Sequence, residues 1–550
     1  MKNPVIAIGL DAADPVLLEQ WMSQGHLKNL QRLREQGAYG RLTNLEYYKA
    51  ETPWTTFLTG CLPAKTGYWA PIKFHEGTYQ AEVVGAYGFE EYSPFYALGD
   101  DYRVAAFDLP QSTLSDQVNG LQVLAWGAHS PQTPSHSQPA SLLKEITQKY
   151  GEHPALHKDH GDWWDKSYIS RLRQALKVGV DRRVAICRDM LKQEPWDLFL
   201  TIFGETHSAG HDFWFLSQPG HPLYSLRGEV GDPMLEVFEK VDQAVGEILD
   251  EASEDTYLVV FAAHGSDDNT TDVTSMLLLA EFLYRFSFPG KFMLPYGKPG
   301  TPVPPPMNTP QRLNWQEEVW RQVHHPNPLV RLLRQKASDE FNTQLDRVFR
   351  KLNKGVKLPL LSQISRPKGD LVWMPVIWYQ QMWSQMKAFA LPSFSEGYIR
   401  INLKGREPQG IVEPAEYNAL CEELTEKLYQ LKNPRTGETV VKKVVRTRQS
   451  ASDRDPKLPD ADLVVIWKDQ PTDVIEDSEL GRMGPVPYRR TGSHRPRGFL
   501  TVCGPGIEAG SQLAESHGVD LAPTILELMG APIPEYFDGK PLVKASVPVT

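Results

Sequence analysis

Short, continuous apolar runs recur along the chain, and each ends in polar residues. The first is PVIAIGLD, and later runs of the same form are WDLFLTIFGE, TYLVVFAAHG, ADLVVIW and GFLTVCGPG. Runs of this length without alternation are typical of strands buried on both faces of a parallel sheet. Helical stretches separate them, such as LLEQWMSQGHLKNLQRLREQ, which ends at Gly37. The pattern predicts an α/β protein with a central, largely parallel sheet flanked by helices.

The middle of the chain departs from this pattern. LPYGKPGTPVPPPMNTP is too rich in proline and glycine for the interior of a sheet. Basic and aromatic helical segments are predicted after it, at about 331–354 and 373–387. We therefore predict three parts: 1–274 as the first part of the core, 275–455 as an inserted cap, and 456–550 as the C-terminal part of the core. The basic segment is either a solvated helix face or the entrance for an anionic substrate.

Composition and charge narrow the class of protein. The 550 residues are 41% hydrophobic and 23% charged, which is ordinary for a globular protein with a large core. The net charge of -10 argues against binding to a nucleic acid duplex or an anionic membrane. The four cysteines form no CxxC pair, as expected for reduced thiols. The apolar runs are too short for a signal peptide or a membrane span, so we expect a cytoplasmic protein.

Residues with metal-binding chemistry follow several of the predicted strands. Asp11 follows the first strand, His207 and His211 in GETHSAGHDFW follow a middle strand, and His264 in FAAHGSDDN follows the next. Ligands of such sheets bind at the carboxyl ends of the strands, so we expect these residues to share a site. Histidines four residues apart lie on one helix face and can bind one metal ion, although capping or surface histidines are an alternative.

Two further segments carry candidate chemistry. His494 lies in RRTGSHRPRG, near the C-terminal end of the chain. Thr52 precedes Pro53 in ETPWTTFLTG, which is typical of a helix N-terminus. The free backbone N–H groups of such a terminus favour an anion such as phosphate.

Taken together, these motifs resemble the type I phosphodiesterase / nucleotide pyrophosphatase branch of the alkaline phosphatase superfamily. The matching segments are IGLDAADP, TPWTTFLTGCLPAKTGYW, FGETHSAGHDFW, AAHGSDDN, GYIRINLKGREPQGIV, RTGSHRPRGFLTVCGPGI and VDLAPTILELMG. The resemblance implies an alkaline-phosphatase-like α/β core, two divalent metals that are usually zinc, and a hydroxyl nucleophile that attacks phosphorus. We expect one or two zinc ions per chain, with manganese as an alternative, and a small-molecule phosphate ester as substrate.

The resemblance also assigns metal ligands to positions of this chain. Asp11 matches the family's first metal aspartate, and His211 and His494 match two histidines of one metal site. His207 falls where the family usually has an aspartate, and imidazole binds zinc as well. His207, His211 and His494, here called the three-histidine site, would hold one metal firmly.

The second metal site departs from the family pattern. His264 matches the family's histidine there, but the residue before it, usually an aspartate, is Ala263. Asp267 or Asp268 would have to replace the missing carboxylate. Because fewer carboxylates hold two divalent cations less well, a weak or absent second metal is the alternative to the ordinary pair.

The nucleophile is also out of register. The family pattern is serine or threonine, one residue, then proline, and counting back from Pro53 reaches Glu51. Thr52, one position away, is the best hydroxyl candidate, with Thr55 and Thr56 as alternatives. The non-catalytic alternative for Thr52 is a helix cap.

Four charged residues are candidates for supporting roles. Arg406, Arg490 and Arg495 can hold phosphate oxygens through paired N–H donors, with salt bridges as the alternative. Glu205 either orients one of the neighbouring histidines or is a surface acid. Arg406 and Arg495 are predicted to bind the substrate.

These features predict a metal-dependent hydrolase of phosphoric esters, acting on a phosphodiester, a nucleotide pyrophosphate or a phosphomonoester. One alternative is a related sulfate or phosphonate hydrolase. Another is a catalytically altered or inactive member that binds a phosphorylated ligand. The sequence leaves the ester and the oligomeric state open.

Overall fold

The computed structural model describes residues 2–127, 133–159, 161–307, 315, 319 and 370–545. The α-helices are α1 Pro15–Ser23, α2 Lys28–Gln36, α3 Pro53–Thr59, α4 Pro63–Thr66, α5 Leu142–Tyr150, α6 Lys166–Gln193, α7 Glu205–Ser217, α8 Pro233–Leu249, α9 Leu279–Ser287, α10 Tyr417–Gln430 and α11 Leu521–Met529. The strands are β1 Val5–Leu10, β2 Ala38–Thr43, β3 Ile72–His75, β4 Gln80–Val83, β5 Gly99–Leu109, β6 Val118–Leu124, β7 His136–Gln138, β8 Leu198–Phe203, β9 Tyr257–Ala262, β10 Gly265–Asp268, β11 Ala388–Leu391, β12 Gly397–Ile401, β13 Val441–Arg446, β14 Leu463–Trp467, β15 Ile475–Asp477, β16 Gly481–Met483, β17 Gly492–Arg495, β18 Arg497–Cys503 and β19 Ser516–His517.

A nine-stranded mixed sheet forms the core, in the order β19-β2-β18-β9-β1-β8-β5-β6-β7. The five strands from β9 to β6 run parallel, whereas β18 and β7 are antiparallel to their neighbours. Alternate residues of β1 enter different cores, since Ile6 and Ile8 pack with α1, α2, α6, α7 and α8 and Val5 and Ala7 pack with α3 and α11. The predicted α/β core with a largely parallel sheet and flanking helices is confirmed.

A second, smaller sheet is entirely antiparallel, in the order β11-β12-β14-β13. The apolar run ADLVVIW does form a strand, β14, but its predicted place in the core sheet is wrong. All five residues of β14 are buried, because the smaller sheet has a hydrophobic core of its own. A strand buried on both faces has the same continuous apolar pattern in either kind of sheet.

After the smaller sheet, the chain returns to the core sheet at β18. The boundaries predicted at 274 and 455 stay predictions. The helix predicted at about 331–354 lies outside the described residues. The segment predicted at about 373–387 contains the 3-10 helix Pro375–Gln385. Among the helices that the structure describes, none is long and apolar enough to cross a membrane.

A buried ion network ties α6 to the junction of β8 and α7. The guanidinium of Arg183 lies 2.6 Å from the carboxylate of Asp108 and 3.1 Å from that of Glu205, and all three side chains are fully buried. His153 lies 3.1 Å from Glu205. Its ring fits there because Gly179 has no Cβ, which would clash with the ring. Burial acts to raise the pKa of Glu205, but the Arg183 charge holds it at about 2, so this carboxyl is ionised near neutral pH.

Replacement of Arg183 tests this network. We expect Arg183→Met to lower the free energy of unfolding by about 3–5 kcal/mol, because it leaves two carboxylates buried without their cation. The matched control is Arg171→Met, which breaks an ion pair with Asp165 that is mostly in solvent, and we expect a change below about 1 kcal/mol. Urea unfolding followed by circular dichroism measures both. Equal, small losses in the two variants would contradict a central role for Arg183.

Candidate metal centre and active-site cavity

Three neighbouring strands bring the candidate ligands to one edge of the core sheet. Strand β1 pairs in parallel with β8 on one side and with β9 on the other, and Leu10 of β1 lies opposite Phe203 of β8. The carboxyl ends of the three strands are therefore level. Asp11 follows β1, helix α7 follows β8, and His264 follows β9, so the expected edge carries all of them.

The three-histidine site lies on this edge. The Nε2 atoms of His207 and His211 are 3.2 Å apart, those of His211 and His494 are 2.9 Å apart, and those of His207 and His494 are 3.1 Å apart. A hydrogen bond between two ring nitrogens uses one proton and joins only those two atoms. A single cation at the centre of the triangle would accept a lone pair from each of the three nitrogens. Zinc–nitrogen bonds of about 2.0–2.1 Å in a tetrahedral site set the nitrogens about 3.3 Å apart. The triangle therefore fits a divalent ion bound by three imidazoles.

Close contact between α7 and β17 holds this triangle. The Nδ1 atom of His211 lies 2.7 Å from the carbonyl oxygen of Gly492, so Nδ1 donates a proton and Nε2 keeps its lone pair for a metal. The backbone N–H of Thr491 donates to the carbonyl oxygen of His211 at 2.9 Å. A Cβ at Gly492 would clash with the carbonyl of Gly210, so only glycine allows this approach.

Asp11 and His264 form a second pair beside the triangle. The Oδ1 atom of Asp11 lies 3.2 Å from Nε2 of His264, and it also accepts a hydrogen bond from Trp54 Nε1 at 3.1 Å. The ring centroids of His264 and His494 are 4.6 Å apart. All five predicted metal ligands are thus brought together, and this pair offers one carboxylate and one imidazole.

The carboxylates considered as replacements at the second site lie elsewhere. Asp267 makes a 2.7 Å ion pair with Arg497, and Asp268 accepts a hydrogen bond from Trp214 at 2.6 Å. Neither lines the cavity described below. Ala263 packs in the core, so the second pair gains no ligand from its neighbours in the sequence.

A cavity of about 750 Å³ opens over these ligands. Asp11, His207, His264 and His494 line one part of its wall. The rest of the wall includes Glu51, Trp54, His157, Asp159, Trp373, Phe394, Arg489 and Arg490. Its volume is in the range of sites that bind small molecules, and it is larger than a phosphate group alone requires.

The predicted nucleophile, Thr52, is not brought to this cavity. Its hydroxyl donates to the carbonyl oxygen of Tyr48 at 2.8 Å, because the chain turns over these residues before α3 begins. The alternatives Thr55 and Thr56 are also absent from the cavity wall. A nucleophilic role for Thr52 stays a prediction that requires its hydroxyl to leave this hydrogen bond.

Glu51, at the position of the family's nucleophile, does line the cavity. Its carboxylate accepts hydrogen bonds from Tyr398 at 3.1 Å and from the backbone N–H of Ala50 at 3.2 Å. Burial, and then the nearby carboxylate of Glu396, raise the pKa of Glu51. The sequence did indicate that Glu51 occupies the nucleophile's position, because the count back from Pro53 ends at Glu51.

The arginines predicted to bind the substrate lie away from the cavity. Arg406 binds Asp462 at 2.6 Å and Glu407 at 3.0 Å beside the smaller sheet, and both carboxylates are buried with it. Arg495 lies 3.3 Å from the carboxylate of Asp469 and donates to a backbone carbonyl. Both make the salt bridges that were the alternative. Carboxylates occupy the donors of Arg406, whereas Arg495 donates to the backbone carbonyls of His494 and Asp268.

Two other arginines reach the cavity wall instead. Arg489 and Arg490 both line it, and Arg490 was a candidate in the sequence. Nothing in the sequence distinguishes Arg489 from other arginines, since its place depends on distant segments. Glu205 does not orient a ligand histidine, because its carboxylate binds Arg183 and His153.

The comparison with protein families agrees with the motifs. The sequence model of the family "Type I phosphodiesterase / nucleotide pyrophosphatase" matches residues 5–356, which is more than half of the chain. No curated protein matches. One similar solved structure is phosphonoacetate hydrolase from Sinorhizobium meliloti 1021 in complex with phosphonoformate, with 12% identity, coverage of 95% of this chain and 94% of that chain, and a TM-score of 0.46.

The family match confirms the resemblance drawn from the motifs, and with it the predicted enzyme class, a hydrolase acting on ester bonds. The chain belongs to the type I phosphodiesterase / nucleotide pyrophosphatase family.

Proposed function

We propose that the cavity is the active site of a metal-dependent hydrolase of small-molecule phosphoric esters. The observation that carries this proposal is the triangle of three Nε2 atoms, none farther than 3.2 Å from another, at the cavity wall. Such a triangle at the carboxyl ends of parallel strands has the position and the chemistry of a catalytic metal site. Family membership supports the reaction class.

The three-histidine site would hold one divalent ion, and Asp11 with His264 would hold a second, weaker one. Imidazole ligands favour zinc, with manganese as the alternative. A bound ion of this kind acts as a Lewis acid that stabilises negative charge on phosphoryl oxygens. Trp54 fixes the Asp11 carboxylate, and the Gly492 carbonyl fixes the ring of His211, so both ligands are positioned in advance.

A second candidate function is a catalytically altered member of the family that binds a phosphorylated ligand. Two observations favour it: the hydrogen bond that engages the Thr52 hydroxyl, and Ala263 in place of a carboxylate. It shares the cavity and the three-histidine site with the hydrolase and differs in the absence of turnover.

Metal content per chain tests the metal site. We expect wild-type protein purified without chelator to carry about one firmly bound zinc, and His211→Ala to lose it, because two imidazoles are too few for a tight zinc site. His136→Ala, at an exposed position on β7, is the matched control and should keep the metal. Elemental mass spectrometry measures all three proteins.

Two metals per wild-type chain would indicate that the Asp11–His264 pair also binds a metal ion. No metal in wild type, even after incubation with zinc or manganese, would contradict the hydrolase and favour the ligand-binding protein.

Substitutions at the start of α3 test the nucleophile. If Thr52 attacks phosphorus, Thr52→Val lowers kcat on bis-para-nitrophenyl phosphate by about 1000-fold or more, whereas Thr52→Ser keeps the hydroxyl and part of the rate. Glu51→Gln should lower kcat by about 100-fold, because it removes from the cavity wall a carboxyl group whose raised pKa suits it to exchange a proton near neutral pH. A loss below about tenfold in Thr52→Val would rule out Thr52 as the nucleophile, and an inactive Glu51→Gln beside it would make Glu51 the essential group at this position.

A further inference from the structure

Arg489 lines the cavity without a carboxylate of its own. Its guanidinium stacks over the ring of Trp373, 4.1 Å from the ring centroid, and Nη1 lies 3.8 Å from the sulfur of Met276. No ion pair joins it to a carboxylate within the described ranges, in contrast to Arg406 and Arg495. The side chain is thus held by an aromatic face and a thioether, neither of which neutralises its charge.

The neighbouring Arg490 adds a second positive charge to the same wall. Its guanidinium lies 3.5 Å from the carboxylate of Asp272, which also accepts a hydrogen bond from Ser493 at 2.8 Å. Burial, and then the charge of Arg490, lower the pKa of Arg489 to about 9, so the Arg489 guanidinium remains protonated near neutral pH. Arg489 is partly buried, and the carboxylates of Asp272, Asp212 and Asp159 act on it without forming an ion pair. A guanidinium that makes no ion pair while lining a cavity is typical of groups kept for binding.

The aromatic contact leaves the arginine able to bind an anion. Trp373 covers a face of the guanidinium and itself packs against Phe394, with ring centroids 6.1 Å apart. The N–H donors of a guanidinium lie in its plane, so stacking on a face keeps them for an oxyanion and limits the motion of the group. A planar pair of donors matches the two oxygens of a carboxylate or phosphoryl group.

We propose that Arg489 and Arg490 form a second oxyanion subsite, and that the ligand of this cavity carries an anionic group in addition to the phosphoryl group at the three-histidine site. The inference rests on the proposed function for calling this ligand a substrate. The cavity of about 750 Å³ contains both groups of residues and has room for two linked oxyanions. The second oxyanion is a carboxylate or another phosphoryl group, since a guanidinium binds both.

Calorimetric titration of the metal-loaded protein tests the subsite with three probes. Ethylphosphonate has one anionic group, carboxyethylphosphonate adds a carboxylate, and methylenediphosphonate adds a second phosphoryl group. We expect Arg489→Met to weaken binding of at least one two-anion probe by about 10–100-fold and to change ethylphosphonate binding by less than about threefold. Arg489→Lys should lie between, because it keeps the charge without the planar donors.

The two-anion probe that shows the larger loss identifies the second group as carboxylate or phosphoryl. Arg454→Met, which removes an exposed arginine outside the cavity, is the matched control and should bind all probes as wild type does. Metal content measured after each titration excludes extraction of the ion. Equal binding by wild type and Arg489→Met, or an equal loss for all three probes, would overturn the subsite.

Thermal unfolding separates binding from structure. In the ligand-free protein, Arg489→Met should unfold at the same temperature as wild type or higher, because the substitution removes a partly buried charge that makes no ion pair among the described residues. A large decrease, absent in Arg489→Lys, would make Arg489 a structural residue and overturn the proposal.

Turnover is measured separately, so that the two proposals can fail independently. If bis-para-nitrophenyl phosphate is not hydrolysed but the selective loss of two-anion binding is found, the subsite stands and the hydrolase does not. If the diester is hydrolysed and Arg489→Met binds every probe normally, the hydrolase stands and the subsite does not.

Discussion

The parallel pairing of β8, β1 and β9 is the constraint on which the rest of the site depends. Hydrogen bonds between these strands set their carboxyl ends level, and each strand is followed at once by a candidate ligand or by the helix that carries two. The packing around β1 is tight, since a Cβ at Gly9 would lie 2.5 Å from the side chain of Ile202. A change of register in any of the three strands would separate Asp11, His207 and His264.

Helix α7 brings two imidazoles to this edge in a fixed position because it is held at two places. Glu205, the first residue of α7, makes a fully buried ion pair with Arg183 in α6. On the opposite side, Gly492 lets β17 approach the helix, fixes the ring of His211 and brings His494 into the triangle. Helix α7 supplies two imidazoles and the distant strand β17 supplies the third, so the site forms only when these parts of the core have folded together.

Charged groups of both signs line the cavity above this centre. Its wall carries the imidazoles with the carboxylates of Asp11 and Glu51, and also two guanidinium groups with the carboxylates of Asp159 and Asp370. Ala263 and Glu51 stand where the resemblance implies an aspartate ligand and a hydroxyl nucleophile, so this part of the cavity departs from the implied pattern. Arg489 and Arg490 add two positive charges to the cavity wall, although the chain as a whole carries a net charge of -10.

The sequence by itself determined the α/β core, the strands that end at the site and the family. Continuous apolar runs indicate buried strands. The residues that follow parallel strands lie at one edge of the sheet, so Asp11, His207 and His264 could be placed together from the sequence. The tertiary structure alone decided which sheet holds β14, because a buried strand looks the same in either sheet. It also decided that Glu51 rather than Thr52 lines the cavity, and that Arg489 does so while Arg406 is paired with Asp462. The direction of a side chain and the charge left on it depend on partners far along the chain, and local sequence patterns carry no record of those partners.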